Sequence, residues 1–464
     1  MNRVARISLA VVIVALLAGN AAAYRHIKQS PYPSHWDSRI APLATFVENA
    51  RHLRFSHPVA VEFLTEAEYK KRNQTSAGQL SAAQKRDLRI FEGQAHALGL
   101  LSKDTDLLKQ LNTLNSDATD AYYDDQAKKM VIRGTDLTVD LRVTIVHELT
   151  HALQDQNFGI ERSFKSDGAS SFFDALVEGD ATRIENEYVD SLNDADQRAY
   201  FSENNSNASS ASSALASVPP ALVSLFGAPY DLGEPLTRLI VTEHGVAGLD
   251  KLFRQPPDSD EGMINAFAAI DAQPAKKVAA PTLNAGEHKT DSGDFGAVPW
   301  YVVLSSFIDP HTALAAVDGW GGDAYVGYTK ASRPCIRIAF EGDTPNDNVE
   351  MAAALNQFKA VFTENTVQVM SSPDRVVLDA CEPNVVPKPR ADASSALELP
   401  ATRLELLDVL FSNHVGRNVA DCISRHILAT VPLDKLNSDN PADQRQLVIT
   451  TQQISRNCAA GQLV

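Results

Sequence analysis

The residues best suited to chemistry lie in Ile145-Val-His-Glu-Leu-Thr-His-Ala-Leu-Gln154, where His147 and His151 stand four apart and Glu148 follows the first. On a helix, positions i and i+4 share a face, so two imidazoles at this spacing reach one metal ion. The carboxylate between them turns towards a water beside that ion. Catalytic zinc takes three protein ligands and keeps one position open, so a third ligand is needed. Phe173-Asp-Ala-Leu-Val-Glu-Gly-Asp-Ala181 offers Glu178, which is 178 − 151 = 27 residues beyond the second histidine. Asp174 and Glu185 lie on the same stripe of that predicted helix and compete with it. Gly179 costs a helix about 1 kcal/mol relative to Ala, which points either to close packing of this helix on the one that carries the histidines or to a plain kink.

The position of the third ligand separates the zinc-binding classes. Gln154 and Asn157 stand where a metzincin would carry Gly and His, and no Gly-Thr-x-Asp segment follows downstream, which removes the aspartate class. What remains, HExxH with a later Glu-Gly-x-Ala, resembles the gluzincins, the thermolysin-like superfamily, over residues 120 to 190. More loosely, the order of segments is similar to secreted or membrane-anchored actinobacterial metallopeptidases. The resemblance implies a zincin-like catalytic domain, one catalytic Zn2+ on His147, His151 and Glu178, and Glu148 as general base. It also implies a peptide or protein substrate. The chain departs from the thermolysin pattern at Thr182, where an Asp would orient the first imidazole; Asp174 and Asp155 are substitutes at helical spacing. His244, Tyr188 and Tyr230 are candidate donors to the oxyanion of the transition state. The doubtful orienting group leaves an alternative, a catalytically inactive zincin-fold binding or scaffold protein of the cell envelope. A zinc hydrolase acting on a non-peptide amide is a third reading. Glu148 favours turnover, because a scaffold needs no general base.

The elements around these residues predict an α+β, mostly helical fold with a small edge sheet. Residues 24–50 form a Pro-containing lead, Pro58 to Leu64 alternates as a strand, and a helix starts near Thr65. Residues 81–115 read as helices, and Ala121–Asp124 with Lys129–Arg133 reads as a hairpin. That hairpin could hold an extended peptide as an added strand, in which case Val131→Pro would raise KM. A helix capped by Asp136 or Thr138 runs to about Gln156, and a second runs from about Ser170 to Leu192. The catalytic domain is thus expected over 51–200. Residues 201–219, mostly Ser, Asn and Ala, read as a linker or lid. A helical subdomain over 220–272, a mixed α/β accessory region over 273–382 and a linker over 383–400 follow. Residues 401–464 read as a small helical, disulfide-bearing module. Gly319-Trp-Gly-Gly-Asp323 reads as a tight turn with a buried Trp.

Arg3 and Arg6 precede an apolar run from Ile7 to Ala18 and the triplet Ala21, Ala22, Ala23, the three parts of an export signal. Residues 1–23 are therefore either a signal peptide cut after Ala23 or an N-terminal membrane anchor, and the rest lies outside the cytoplasm. Contact with a membrane is expected only through that segment. The four cysteines of an exported chain suggest two disulfides, and proximity pairs Cys335 with Cys381 and Cys422 with Cys458. The 464 residues carry 42 basic and 58 acidic side chains, a net charge of −16 with no basic cluster, which excludes nucleic acid as a partner.

Overall fold

A computed structural model describes residues 32–463 apart from 74–75, 117–120, 437 and 439, with side chains at 115–116 and 205–214 left out. The expected export segment, 1–23, lies outside the described residues. The chain is α+β and mostly helical, with two small sheets. It opens with α1 (Ala41–Arg51), β1 (Ala60–Leu64), α2 (Glu66–Asn73), α3 (Ala82–Ala97), α4 (Leu107–Ser116), β2 (Ala121–Asp124) and β3 (Lys129–Arg133). The central helices are α5 (Val139–Phe158), α6 (Asp167–Ser191), α7 (Asp194–Leu215), α8 (Pro220–Asp231), α9 (Gly233–Arg254) and α10 (Ala266–Ile270). Then come β4 (Glu287–Gly293), α11 (Ala297–Ser305), α12 (Pro310–Asp318), β5 (Trp320–Lys330), β6 (Arg333–Gly342), α13 (Pro345–Ala360), β7 (Val367–Ser372) and β8 (Arg375–Cys381). Helices α14 (Glu398–Ser412), α15 (Arg417–Thr430), α16 (Leu433–Leu436) and α17 (Pro441–Ala459) close the chain.

A minor cluster around Cys422 and Cys458 packs α15 against α17, and two larger hydrophobic cores organise the rest. The smaller joins α1, the first sheet, α5 and the C-terminal half of α6, through residues such as Val47, Ile132, Val146, Leu149 and Ile184. The larger joins α8, α9, α11 and the second sheet to the N-terminal half of α6, through Phe172, Phe173 and Leu176. Helix α6 therefore belongs to both, and Glu178 lies where it passes from one to the other. Leu80, Phe91, Leu98 and Leu111 also join the larger core. Helix α3 thus packs on β6 and β8 of the second sheet, a long-range partnership that local periodicity does not reveal.

Both site helices begin on side-chain caps. Thr138 accepts the Leu141 N–H at 3.2 Å, and α5 ends at Gly159, whose φ of 68° needs no Cβ penalty. Ser166 accepts the Ala169 N–H, and Asp294 accepts those of Asp167 and Gly168, which satisfies the first three N–H groups of α6. The segment read as a linker or lid over 201–219 is helical to Leu215. Asn193 caps it through the N–H groups of Ala195 and Asp196, and Tyr200 enters the smaller core. A capped and anchored first half lets the helix extend through a composition that could not nucleate one alone.

In the first sheet the order is β1-β3-β2, with β1 parallel and β2 antiparallel to β3. Val131 sits on the central strand, opposite both Glu62 and Tyr122. Val131→Pro would break the sheet itself, so it does not isolate peptide binding as expected; the free edges belong to β1 and β2. The second sheet, β4-β5-β6-β8-β7, is antiparallel throughout. Trp320 is buried as expected but opens β5 instead of a tight turn, and its indole N–H and that of Trp300 both donate to Asp323. Both expected disulfides form. Cys335 lies directly opposite Cys381 across β6 and β8, and Cys422–Cys458 joins α15 to α17. No described helix is long and apolar enough to cross a membrane.

Candidate metal centre

His147 and His151 lie one turn apart on α5, with ring centroids 4.6 Å apart and planes at 82°. Nε2 of His147 is 3.2 Å from Glu178 Oε2, and Nε2 of His151 is 3.3 Å from the same oxygen. Ligand atoms held by a tetrahedral zinc at about 2.0–2.1 Å stand about 3.3 Å from one another, so the donor set fits such an ion. Glu148 completes the cluster, its carboxylate within 4.8 Å of the ligand atoms of both histidines.

Hydrogen bonds at the far side of each ring orient it so that Nε2 faces Glu178. Glu185 Oε2 accepts from His147 Nδ1 at 2.9 Å, and Gln154 Oε1 accepts from His151 Nδ1 at 3.2 Å. With Nδ1 as the donor on the far side, Nε2 is the atom a metal ion would take, displacing the proton that it shares with Glu178 in the metal's absence. The orienting carboxylate of the first imidazole is therefore Glu185, seven residues beyond Glu178 and on its stripe. Neither expected substitute plays that part. Asp155 accepts the Tyr123 hydroxyl and the Lys128 ammonium, which ties α5 to the hairpin. Asp174 makes no bond to an imidazole; burial and then the charge of Glu178 push its carboxyl up to about 8.

The cluster is electrostatically coupled. Burial works to raise the Glu178 carboxyl, but the two imidazoles outweigh it and hold the group well below the usual carboxylate range. Burial also opposes charge on His147, yet the bonds to Glu178 and Glu185 raise its pKa well above the ordinary imidazole value. Glu148 is 7 % exposed and accepts the Tyr123 backbone N–H at 2.7 Å. Burial raises its carboxyl, with the two histidines and that N–H opposing. A carboxylate whose proton affinity is raised by burial can take and return a proton.

Of the three expected oxyanion donors, the structure brings one to the cluster. Tyr230, in the last turn of α8, brings its hydroxyl close to the Glu178 carboxylate, and the residue is 39 % exposed. Burial, then the charges of Glu178 and Glu148, raise the phenol well above its ordinary range, so it keeps its proton. Tyr188 is instead buried in the smaller core, edge-on to Phe46, because it lies about 15 Å further along α6 than Glu178. His244 is exposed on α9 beside the kink at Gly245 and has no bond to the cluster.

Gly179 does mark a close approach, but to α9 and not to the histidine helix. A Cβ there would lie 2.1 Å from both the carbonyl carbon and the oxygen of Gly233. The crossing of these two glycines is what holds Glu178 beside Tyr230, three residues before Gly233. A second trio, Cys422, His426 and Cys458, is close enough to share an ion, but its two sulfurs are bonded to each other. Glu185 and Gln154 are the functional residues missed from sequence, although Gln154 stands at helical spacing from His151 and Glu185 on the ligand stripe. Compared with known proteins, the chain matches no family model, no curated protein and no solved structure.

Proposed function

We propose that this chain is an exported zinc-dependent peptidase of the gluzincin type, on a zincin-like catalytic unit. The observation that carries this reading is the convergence of two Nε2 atoms on one Glu178 oxygen, at 3.2 and 3.3 Å, with a buried Glu148 alongside. His147, His151 and Glu178 would hold the zinc, which supplies Lewis-acid polarisation and acidifies water at neutral pH.

The chain's own groups do the rest. Glu148 takes the proton of the attacking water and passes it to the leaving amine. Tyr230, held as a neutral donor beside Glu178, hydrogen-bonds the oxyanion that develops on the scissile carbonyl. The free edge of β2 runs past Glu148, as the 2.7 Å bond from Tyr123 N–H attests, and an extended peptide pairs with that edge. Glu185 and Gln154 supply the orientation that the residue at position 182 does not, which removes the main argument for an inactive scaffold. Both disulfides agree with an oxidising compartment outside the cytoplasm, in line with the export signal read from residues 1–23.

Glu148→Gln tests the reading. It should bind zinc like the parent and lose about 10²–10⁴-fold in kcat on a peptide substrate selected from a library. Turnover equal to the parent's would overturn the role of Glu148.

A further inference from the structure

Behind the candidate centre, Arg51 is wholly buried at the last position of α1. Its Nε donates to Asp180 Oδ2 at 2.7 Å, and a terminal nitrogen donates to Asp250 Oδ1 at 2.7 Å. It thus joins α1, from the smaller core, to α6 and α9. Asp180 Oδ2 also accepts the side-chain N–H of Gln154 at 3.1 Å, and the carbonyl of Val177 accepts from the same nitrogen at 3.1 Å. Asp180 and Gln154 are wholly buried as well. An amide side chain can be flipped, but here only one orientation serves. With two acceptors facing its nitrogen, Gln154 must present its oxygen to His151, and a ring facing an oxygen must carry its proton on Nδ1. Nε2 is then the ring atom that faces Glu178 and that a metal ion would take.

We propose that Arg51 is a positioning residue for the metal centre, acting through Asp180 and Gln154 to fix the orientation and tautomer of His151. Helix α1, which contributes no ligand, thereby belongs to the apparatus of the site. The proposal rests on the zinc-centre reading, so its test reads metal binding and not hydrolysis.

The experiment uses the full chain and measures Zn2+ affinity by competition with a chromophoric chelator, and the visible absorption of bound Co2+ as a signature of ligand geometry. Arg51→Met and Gln154→Leu should each weaken Zn2+ binding about 10–100-fold, the range found when outer partners of metal-bound histidines are removed. Because both changes cut one relay, the double variant should be no more than about threefold weaker than the worse single. Arg51→Lys, which keeps a cation beside Asp180, should recover most of the loss. Arg403→Met is the control. Arg403 is also a buried arginine bridging two carboxylates, those of Asp318 and Asp421, but it is not linked to a ligand. It should cost thermal stability and leave Zn2+ affinity unchanged.

A folded Arg51→Met with the parent's Zn2+ affinity and Co2+ spectrum would overturn the proposal. Should that variant fail to fold, unchanged affinity in Gln154→Leu overturns it equally. A parent that binds no Zn2+ would bring down the metal-centre reading as well, and is distinguishable because no variant is then needed.

Discussion

Gly179→Ala opposes two physical effects of opposite sign. In an ordinary helix interior the change adds up to about 1 kcal/mol of stability through backbone entropy. Here the new Cβ would stand 2.1 Å from the Gly233 carbonyl carbon and oxygen, where ordinary contact begins at 3.4 Å, so α6 and α9 must separate by 3.4 − 2.1 = 1.3 Å. The clashing atoms are backbone and cannot rotate aside. Overpacking of this kind costs about 1–3 kcal/mol, which outweighs the gain. A shift of that size also disturbs the placement of Tyr230, three residues before Gly233, beside Glu178. The variant should therefore melt below the parent and lose kcat on the chosen peptide, while zinc, held mainly by α5 and α6, stays bound. Thermal unfolding, zinc content and steady-state kinetics on one preparation separate these effects. A variant as stable and as active as the parent would refute the claim that this crossing positions the site.

The other predictions concern single groups. Tyr230→Phe should lower kcat about 10²–10³-fold with a small change in KM, as loss of an oxyanion donor does; a change in KM alone would assign Tyr230 to substrate binding. Glu261 is 1 % exposed, and burial, followed by the charges of Asp343, Asp260 and Asp318, raises its carboxyl to about 9. The folded chain thus holds a proton that the unfolded chain releases above the ordinary value of 4.5, and the stability this contributes is lost as pH rises from 4.5 towards 9. Glu261→Gln should match the parent near pH 4 and exceed it increasingly up to pH 9, by at most about 1.4 kcal/mol per pH unit. Parallel melting curves across that range would contradict the buried, protonated state of Glu261.

Much of the site is legible in the chain because its determinants are local. The i, i+4 histidines, the Thr138 cap and the ligand stripe of α6 are all set within one or two turns. The disulfides follow from proximity and the hairpin from two short strands flanking a polar turn. What escapes sequence is set by contacts between distant segments. Nothing near Gly179 reveals that Gly233 lies against it, or that Arg51, 129 residues before Asp180, reaches it. Glu185 was visible on the correct stripe, but only the tilt of α6 against α5 decides that it, and not Asp174, meets His147. The helical state of 201–215 likewise depends on the cap at Asn193 and on Tyr200 docking in the smaller core, neither of which composition reports.

The central claim is that His147, His151 and Glu178 hold one zinc ion. The most direct measurement is the zinc content of the purified residues 24–464, with the Glu178→Ala variant beside it. The account predicts one tightly held zinc per parent chain and a clear loss in the folded variant. A folded parent that takes up no zinc when it is supplied, or a variant that holds it as tightly, would contradict it.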